Sequence, residues 1–165
     1  MVVEDIVRKL DASPERDVPF FKKLLQEVHI GADWIREHTP NPIPLTGYQR
    51  DLLYHGSNFE LVLATWSPRG ETLIHDHGSS DSFGMVRVLR GKVFNHIYKV
   101  NGEGVLGPKN RHVFAADGLI PVPKGLIHLM GNTSGEDYAM SLHLYSPVIT
   151  GVCYWDPESL QPAEL

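Results

Sequence analysis

The sequence predicts an all-β fold class, a small sandwich or barrel preceded by α-helices, and three observations carry that reading. After Pro44, about eight short apolar and β-branched runs follow at close spacing, bounded by glycine, proline and asparagine. They are not separated by helix-period segments, which argues against a βαβ sheet. Before Pro44 the apolar period is instead three to four residues. At 165 residues the chain has the size of one domain. It is expected as a helical part over 1–40 and a β-barrel over 45–155.

The elements follow in order. Val2, Val3, Ile6, Val7 and Leu10 suggest a short first helix. Ser13-Pro14-Glu15-Arg16 offers a second helix start, with serine as N-cap and proline in the first turn. Phe20, Phe21, Leu24, Leu25, Val28, Trp34 and Ile35 then recur at helical steps, enough for one or two amphipathic helices. Asn41-Pro42-Ile43-Pro44 ends the pattern, because proline removes a donor and restricts its predecessor. Strands are expected over residues 61–66, 85–89, 93–98, 112–115, 119–122 and 138–145. Asn101-Gly102 is a hairpin-turn signal after the third of these. The tail beyond Trp155 is expected to fray. There is no fixed-period repeat and no low-complexity segment.

Composition narrows the function classes. Hydrophobic residues at 42% and charged residues at 21% are ordinary for a globular chain rather than a disordered one. No apolar run reaches the roughly 18 to 20 residues of a membrane-crossing helix, and no secretory h-region opens the chain. The net charge of −5 argues against a general nucleic-acid binder. The one cysteine, Cys153, rules out an internal disulfide and suits a reducing cytoplasm, the expected location. What stands out is nine histidines.

His75-Asp76-His77 falls in the strand-rich half, and residues two apart on a strand face the same side. Two such imidazoles can converge on one ion, and zinc, copper, iron and nickel all suit them. Two ligands do not complete a site. His128 is the best third, since Pro123-Lys124-Gly125 forms a turn leading directly into its strand. An H-x-H pair also arises by chance, so these residues alone leave an ordinary surface or core role open. On residues 138–145, Ser141, His143 and Tyr145 alternate onto one strand face. Taken alone they fit an ordinary half-buried strand better than a site.

The two histidine segments together resemble the paired motifs of the cupin superfamily, a jelly-roll or double-stranded β-helix barrel. Gly70, His75, His77 and Gly91 match the first motif, and Pro123, Gly125, His128 and Asn132 match the second. Where many cupins carry a metal-binding glutamate, this chain has Gly84, and Asp81 is badly spaced to replace it. Adding Tyr48-Gln49-Arg50 and the segment from Ser141 to Pro147, the stretch over residues 48–147 resembles the thiol dioxygenases, bacterial cysteine dioxygenase in particular.

The resemblance implies that His75, His77 and His128 hold Fe(II), and that L-cysteine reacts with O2 to give cysteine sulfinate. Arg50 would grip the substrate carboxylate, with Tyr48 beside it, and a lysine would lose the two-pronged geometry. Tyr145 would face the substrate, hydrogen-bonded to His143 and through it to Ser141. No Cys–Tyr crosslink is expected, because Gly84 stands at the crosslinking position, as it commonly does in bacterial members. Ser146-Pro147 is a cis candidate. A monomer is expected, and no nucleic acid or membrane is an expected partner. The alternatives are a 3-mercaptopropionate or other thiol dioxygenase and a non-enzymatic metal-binding cupin. Arg50 favours cysteine, because the mercaptopropionate group carries glutamine there. His29, His38, His55, His96 and His112 read as surface or rim residues, His29 and His38 on or near the helices and His55 in a turn.

Overall fold

The computed structural model describes residues 1–13, 16–78 and 81–163. Three helices lead the chain: α1 (Val3–Ala12), α2 (Val18–Glu27) and α3 (Ala32–His38). The start of α2 corrects the sequence expectation. Asp17 is its N-cap, accepting a hydrogen bond from the Phe20 N–H, and Pro19 occupies the first turn. Ser13 instead ends α1, its N–H bonded to the Lys9 carbonyl at 3.1 Å. Pro14 and Glu15 lie outside the described residues. From this start the helix carries Phe21, Leu24 and Leu25 into the core.

The strands are β1 (Tyr48–His55), β2 (Glu60–Trp66), β3 (Ile74–His75), β4 (Phe83–Arg90), β5 (Lys92–Tyr98), β6 (Asn110–Ala115), β7 (Leu119–Val122), β8 (Ile127–Asn132), β9 (Ala139–Ser146), β10 (Tyr154–Trp155) and β11 (Pro162–Ala163). They form two antiparallel sheets, ordered β1-β2-β9-β4-β7 and β11-β10-β3-β8-β5-β6. This is the all-β jelly-roll expected, with helices attached to one side.

Side-chain alternation explains how one sheet serves two purposes. Leu61, Leu63, Met85, Leu142 and Leu144 face outward and pack with Phe21, Leu24 and Leu25 of α2. Each such buried side chain contributes about 1.5–3 kcal/mol. Arg87 fastens the end of α2 by donating to the Leu25 and Val28 carbonyls at 2.9 and 2.6 Å. The intervening residues, Ala64, Trp66, Val86, Val88 and Tyr145, face inward and meet Val93 and Met130 of the second sheet. Strands β2 and β9 are therefore buried along both faces.

On the outer face of the second sheet, Ile74, Phe94, Ile127 and Leu129 are covered by Leu106 and Trp155. This cover orders, as far as Ala163, the tail that the sequence suggested would fray; Glu164 and Leu165 lie outside the described residues. Trp155 Nε1 donates to the Gly104 carbonyl at 3.1 Å, Asp156 Oδ1 accepts from the Glu158 and Ser159 N–H groups, and β11 pairs with β10. The β5–β6 connection is longer than a two-residue turn. Asn101 Oδ1 accepts from the Glu103 and Val105 N–H groups, and Gly104 rather than Gly102 takes the positive φ, 81°. Among the described residues no helix is long and apolar enough to cross a membrane.

Candidate metal centre and pocket

The inner faces enclose a cavity of about 730 Å³, lined by residues that include Tyr48, Arg50, His75, His77, His128 and Tyr145. Strand β3 pairs with β8 so that His75 lies opposite His128. The chain enters β8 through Gly125, at φ 75°, with the Leu126 N–H bonded to the Pro123 carbonyl at 3.2 Å. His77 follows β3 and is held by Gly78, at φ 84°, which pairs with Thr150; a Cβ at 78 would collide with the Thr150 carbonyl. Asp76, between the two histidines, turns away. Its Oδ1 accepts from the Gly78 and Cys153 N–H groups at 3.0 and 2.9 Å, so it braces the loop.

The three rings are 4.7 to 5.1 Å apart, centroid to centroid, and each offers a ligand nitrogen within 4.8 Å of the others. Two have their tautomers set. His75 Nδ1 lies 2.7 Å from the Leu73 carbonyl and His128 Nδ1 lies 2.8 Å from Asn95 Oδ1, both acceptors. Each Nδ1 therefore carries the proton and each Nε2 keeps its lone pair. Both ring nitrogens of His77 are buried without a hydrogen-bond partner of regular geometry among the described residues, and the Leu126 backbone gives the ring only weak support. Burial lowers the pKa of all three, carrying His77, with help from His75, down to about 4. Three neutral imidazoles with lone pairs to spare, His77 and His128 buried and His75 half-buried, fit a divalent first-row cation. Among the described residues no carboxylate joins them: Asp81 is exposed, and Gly84 lies against Tyr145.

On β9, Ser141, His143 and Tyr145 face inward and form a chain. Ser141 Oγ is 2.7 Å from His143 Nε2, and His143 Nδ1 is 2.9 Å from the Tyr145 hydroxyl. Burial, with the Arg50 charge next, pushes His143 down to about 3, and burial pushes the Tyr145 phenol up. Gly84 pairs with Tyr145 across β4 and β9, and a side chain there would strike the Tyr145 ring and the Leu144 carbonyl. Sequence reasoning missed the far end of this chain: Trp66 Nε1 donates to Ser141 Oγ at 2.9 Å. It also missed Asn95. Both lie on inward-facing strand positions, in step with Ala64 and Val93, which is the signal that could have found them.

Arg50 and Tyr48 reach the same cavity from the edge strand β1. Tyr48 stacks on Trp66 at 4.9 Å. Arg50 donates from Nη2 to Glu60 Oε1 at 2.8 Å, a partner the sequence did not suggest; Glu60 is 3% exposed. The Ser146-Pro147 bond is cis. Of the other histidines, His29, His55 and His112 are exposed, His29 just beyond α2 and His55 at the end of β1 rather than in a turn. His96 corrects the expectation of a rim position: it is buried against Phe94, with Nε2 unpaired among the described residues.

The sequence profile of the family described as cysteine dioxygenase type I matches residues 32–157. Cysteine dioxygenase type 1 of Danio rerio is 31% identical over 112 residues, which cover 61% of this chain and 51% of that protein. The chain thus spans about half the length of this curated relative. Among solved structures, an oxalate oxidase with the substrate analogue glycolate superposes with a TM-score of 0.57 at 18% identity, over 72% of this chain and 60% of that one. A Klebsiella pneumoniae protein with a double-stranded β-helix domain gives 0.52 at 14% identity, over 93% of this chain and 99% of that one. At such identities the two likenesses establish the fold alone. The profile match is broader in meaning, since it runs from α3 through β10 and takes in His75, His77, His128, Arg50 and the whole Ser141–Tyr145 chain. This chain belongs to the cysteine dioxygenase type I family.

Proposed function

We propose that the chain is an iron(II)-dependent thiol dioxygenase whose substrate is L-cysteine and whose product is cysteine sulfinate. One observation carries the reading: three neutral imidazoles converge in a cavity that also holds an arginine and a buried tyrosine. His75, His77 and His128 would hold the iron, which when bound supplies a positively charged anchor for a thiolate and a route for O2 to react with it. Overall, both oxygen atoms join the sulfur. Sulfur loses four electrons, O2 gains them, and no external reductant is consumed.

The protein residues bind and orient. Arg50 meets the substrate carboxylate with the guanidinium N–H groups that Glu60 leaves unused. A thiol lacking that carboxylate leaves those remaining N–H groups without an acceptor and is selected against. Tyr48 forms the aromatic wall beside it, and Tyr145, kept protonated by burial, offers its hydroxyl to the reacting end. Gly84, which lies against the Tyr145 ring, carries no sulfur, and the one cysteine of the sequence is Cys153, so Tyr145 is read as a tyrosine without a thioether crosslink.

The test is mass spectrometry of the product formed from iron(II)-loaded protein, L-cysteine and isotopically labelled O2. Two labelled oxygens in cysteine sulfinate are expected. Product with unlabelled oxygen drawn from water, or faster oxygen uptake with 3-mercaptopropionate than with cysteine, overturns the reaction or the substrate respectively.

A further inference from the structure

The chain of hydrogen bonds on β9 has a direction, and its far end decides it. The Trp66 indole is a donor only, so at 2.9 Å it places an N–H on Ser141 Oγ and occupies one of that oxygen's lone pairs. Ser141 is fully buried, and among the described residues its remaining partner is His143 Nε2 at 2.7 Å. If His143 donated from Nε2, Ser141 Oγ would accept two N–H groups and its own proton would have no acceptor. If Ser141 donates to Nε2, every group is satisfied. Accepting from Trp66 also polarises the serine hydroxyl and makes it a better donor.

We infer that Trp66 is a positioning residue that fixes a one-way hydrogen-bond chain, Trp66 to Ser141 to His143 to Tyr145. His143 then carries its proton on Nδ1 and donates it to the Tyr145 oxygen 2.9 Å away. The phenol oxygen is engaged as an acceptor, so the Tyr145 O–H is left to donate into the cavity. The chain therefore presents a donor to the bound substrate, suited to an oxyanion or a thiolate and unsuited to a second N–H or O–H. Trp66 also stacks on Tyr48, which ties this chain to the carboxylate end of the same cavity. The assignment of substrate atoms rests on the dioxygenase reading; the direction of the chain does not.

The direction is measured by nitrogen NMR of the metal-free protein labelled at histidine, with the His143 signals assigned by their loss in His143→Gln. A protonated Nδ1 and an unprotonated Nε2 are expected at neutral pH. The reverse pattern in the unsubstituted chain overturns the inference without need of any variant. In Trp66→Phe, which keeps an aromatic ring against Tyr48, the single pattern should give way to a mixture of both tautomers. Ser141→Ala should do the same. With iron(II) and L-cysteine, Trp66→Phe should lower kcat about tenfold. The Trp66→Phe/Ser141→Ala double variant should be no slower than Ser141→Ala alone, because Trp66 acts through Ser141. An unchanged tautomer in both single variants, or additive losses, sinks the inference. Absence of thiol oxidation with the expected tautomer present would sink the dioxygenase reading and leave the chain's direction standing.

Discussion

Asn95 Oδ1 stands 2.8 Å from His128 Nδ1, with both side chains buried, so an amide on β5 determines which nitrogen of a β8 histidine faces the metal centre. Removing the amide leaves a buried N–H unsatisfied and frees the ring to turn. Asn95→Ala is expected to weaken iron(II) binding about 10- to 100-fold. It should also cost about 1–3 kcal/mol of stability in the metal-free protein. Metal titration and thermal melting measure the two effects separately. Undiminished affinity would show that the His128 ring is held by packing alone.

Arg50 and Glu60 form a pair of unequal burial, with side chains 40% and 4% exposed. Arg50→Ala should raise KM for cysteine more than about tenfold and leave iron content intact. It also strands the Glu60 carboxylate in the cavity. Because the guanidinium is partly in water, the stability loss is modest, about 1 kcal/mol. Arg50→Ala/Glu60→Gln should recover the lost Tm but not the KM. If the double variant melts as low as the single one, the pair does not contribute as described.

Gly84 lies so close to the Tyr145 ring that no side chain fits without displacement. Gly84→Ala is expected to lower kcat about tenfold or more through a displaced phenol, since misplacement of a catalytic group by even an ångström is costly. Peptide mass mapping of the unsubstituted protein should find Tyr145 unmodified. A thioether-linked Tyr145 would contradict the crosslink-free reading.

The buried histidines make the metal-free protein acid-sensitive. His77 titrates near 6.5 when unfolded and is pushed down to about 4 when folded. Between those values the unfolded chain binds more protons, so stability is complete above about pH 6.5 and falls as the pH drops. By about pH 5 this residue alone should remove about 2 kcal/mol. Thermal melting of metal-free protein across this range should show the decline, and His77→Gln should flatten it. A Tm independent of pH between 7 and 5 would contradict the burial of these rings.

Much of this was readable along the chain. The step of two from His75 to His77 and from Ser141 through His143 to Tyr145 announces a shared face, because strand geometry alone puts such residues on one side. The Pro123–Gly125 turn into the strand of His128 is equally local. Where local signals compete, sequence reasoning slipped. Ser13-Pro14 and Asp17-Val18-Pro19 both look like helix starts, and it is the Asp17 side chain that caps α2, through the Phe20 N–H. The tail reads as peripheral because nothing nearby in sequence shows that Trp155 and Leu106 cover the second sheet, and His96 does so because nothing local shows that its ring packs on Phe94.

The sequence by itself determined the strand-rich class, the helical cap and the histidine, arginine and tyrosine set, because those depend on period, turn chemistry and residue type. Only the tertiary structure decided that His75 faces His128, that Asn95 reaches the ring of His128, that Glu60 takes one arm of Arg50 and that Trp66 meets Ser141. Those contacts join residues 10 to 75 positions apart, and some depend on strand register, which a shift of one residue would reverse. The metal-ligand types are a property of the chain, whereas their tautomers and the direction of the hydrogen bonds around them belong to the fold.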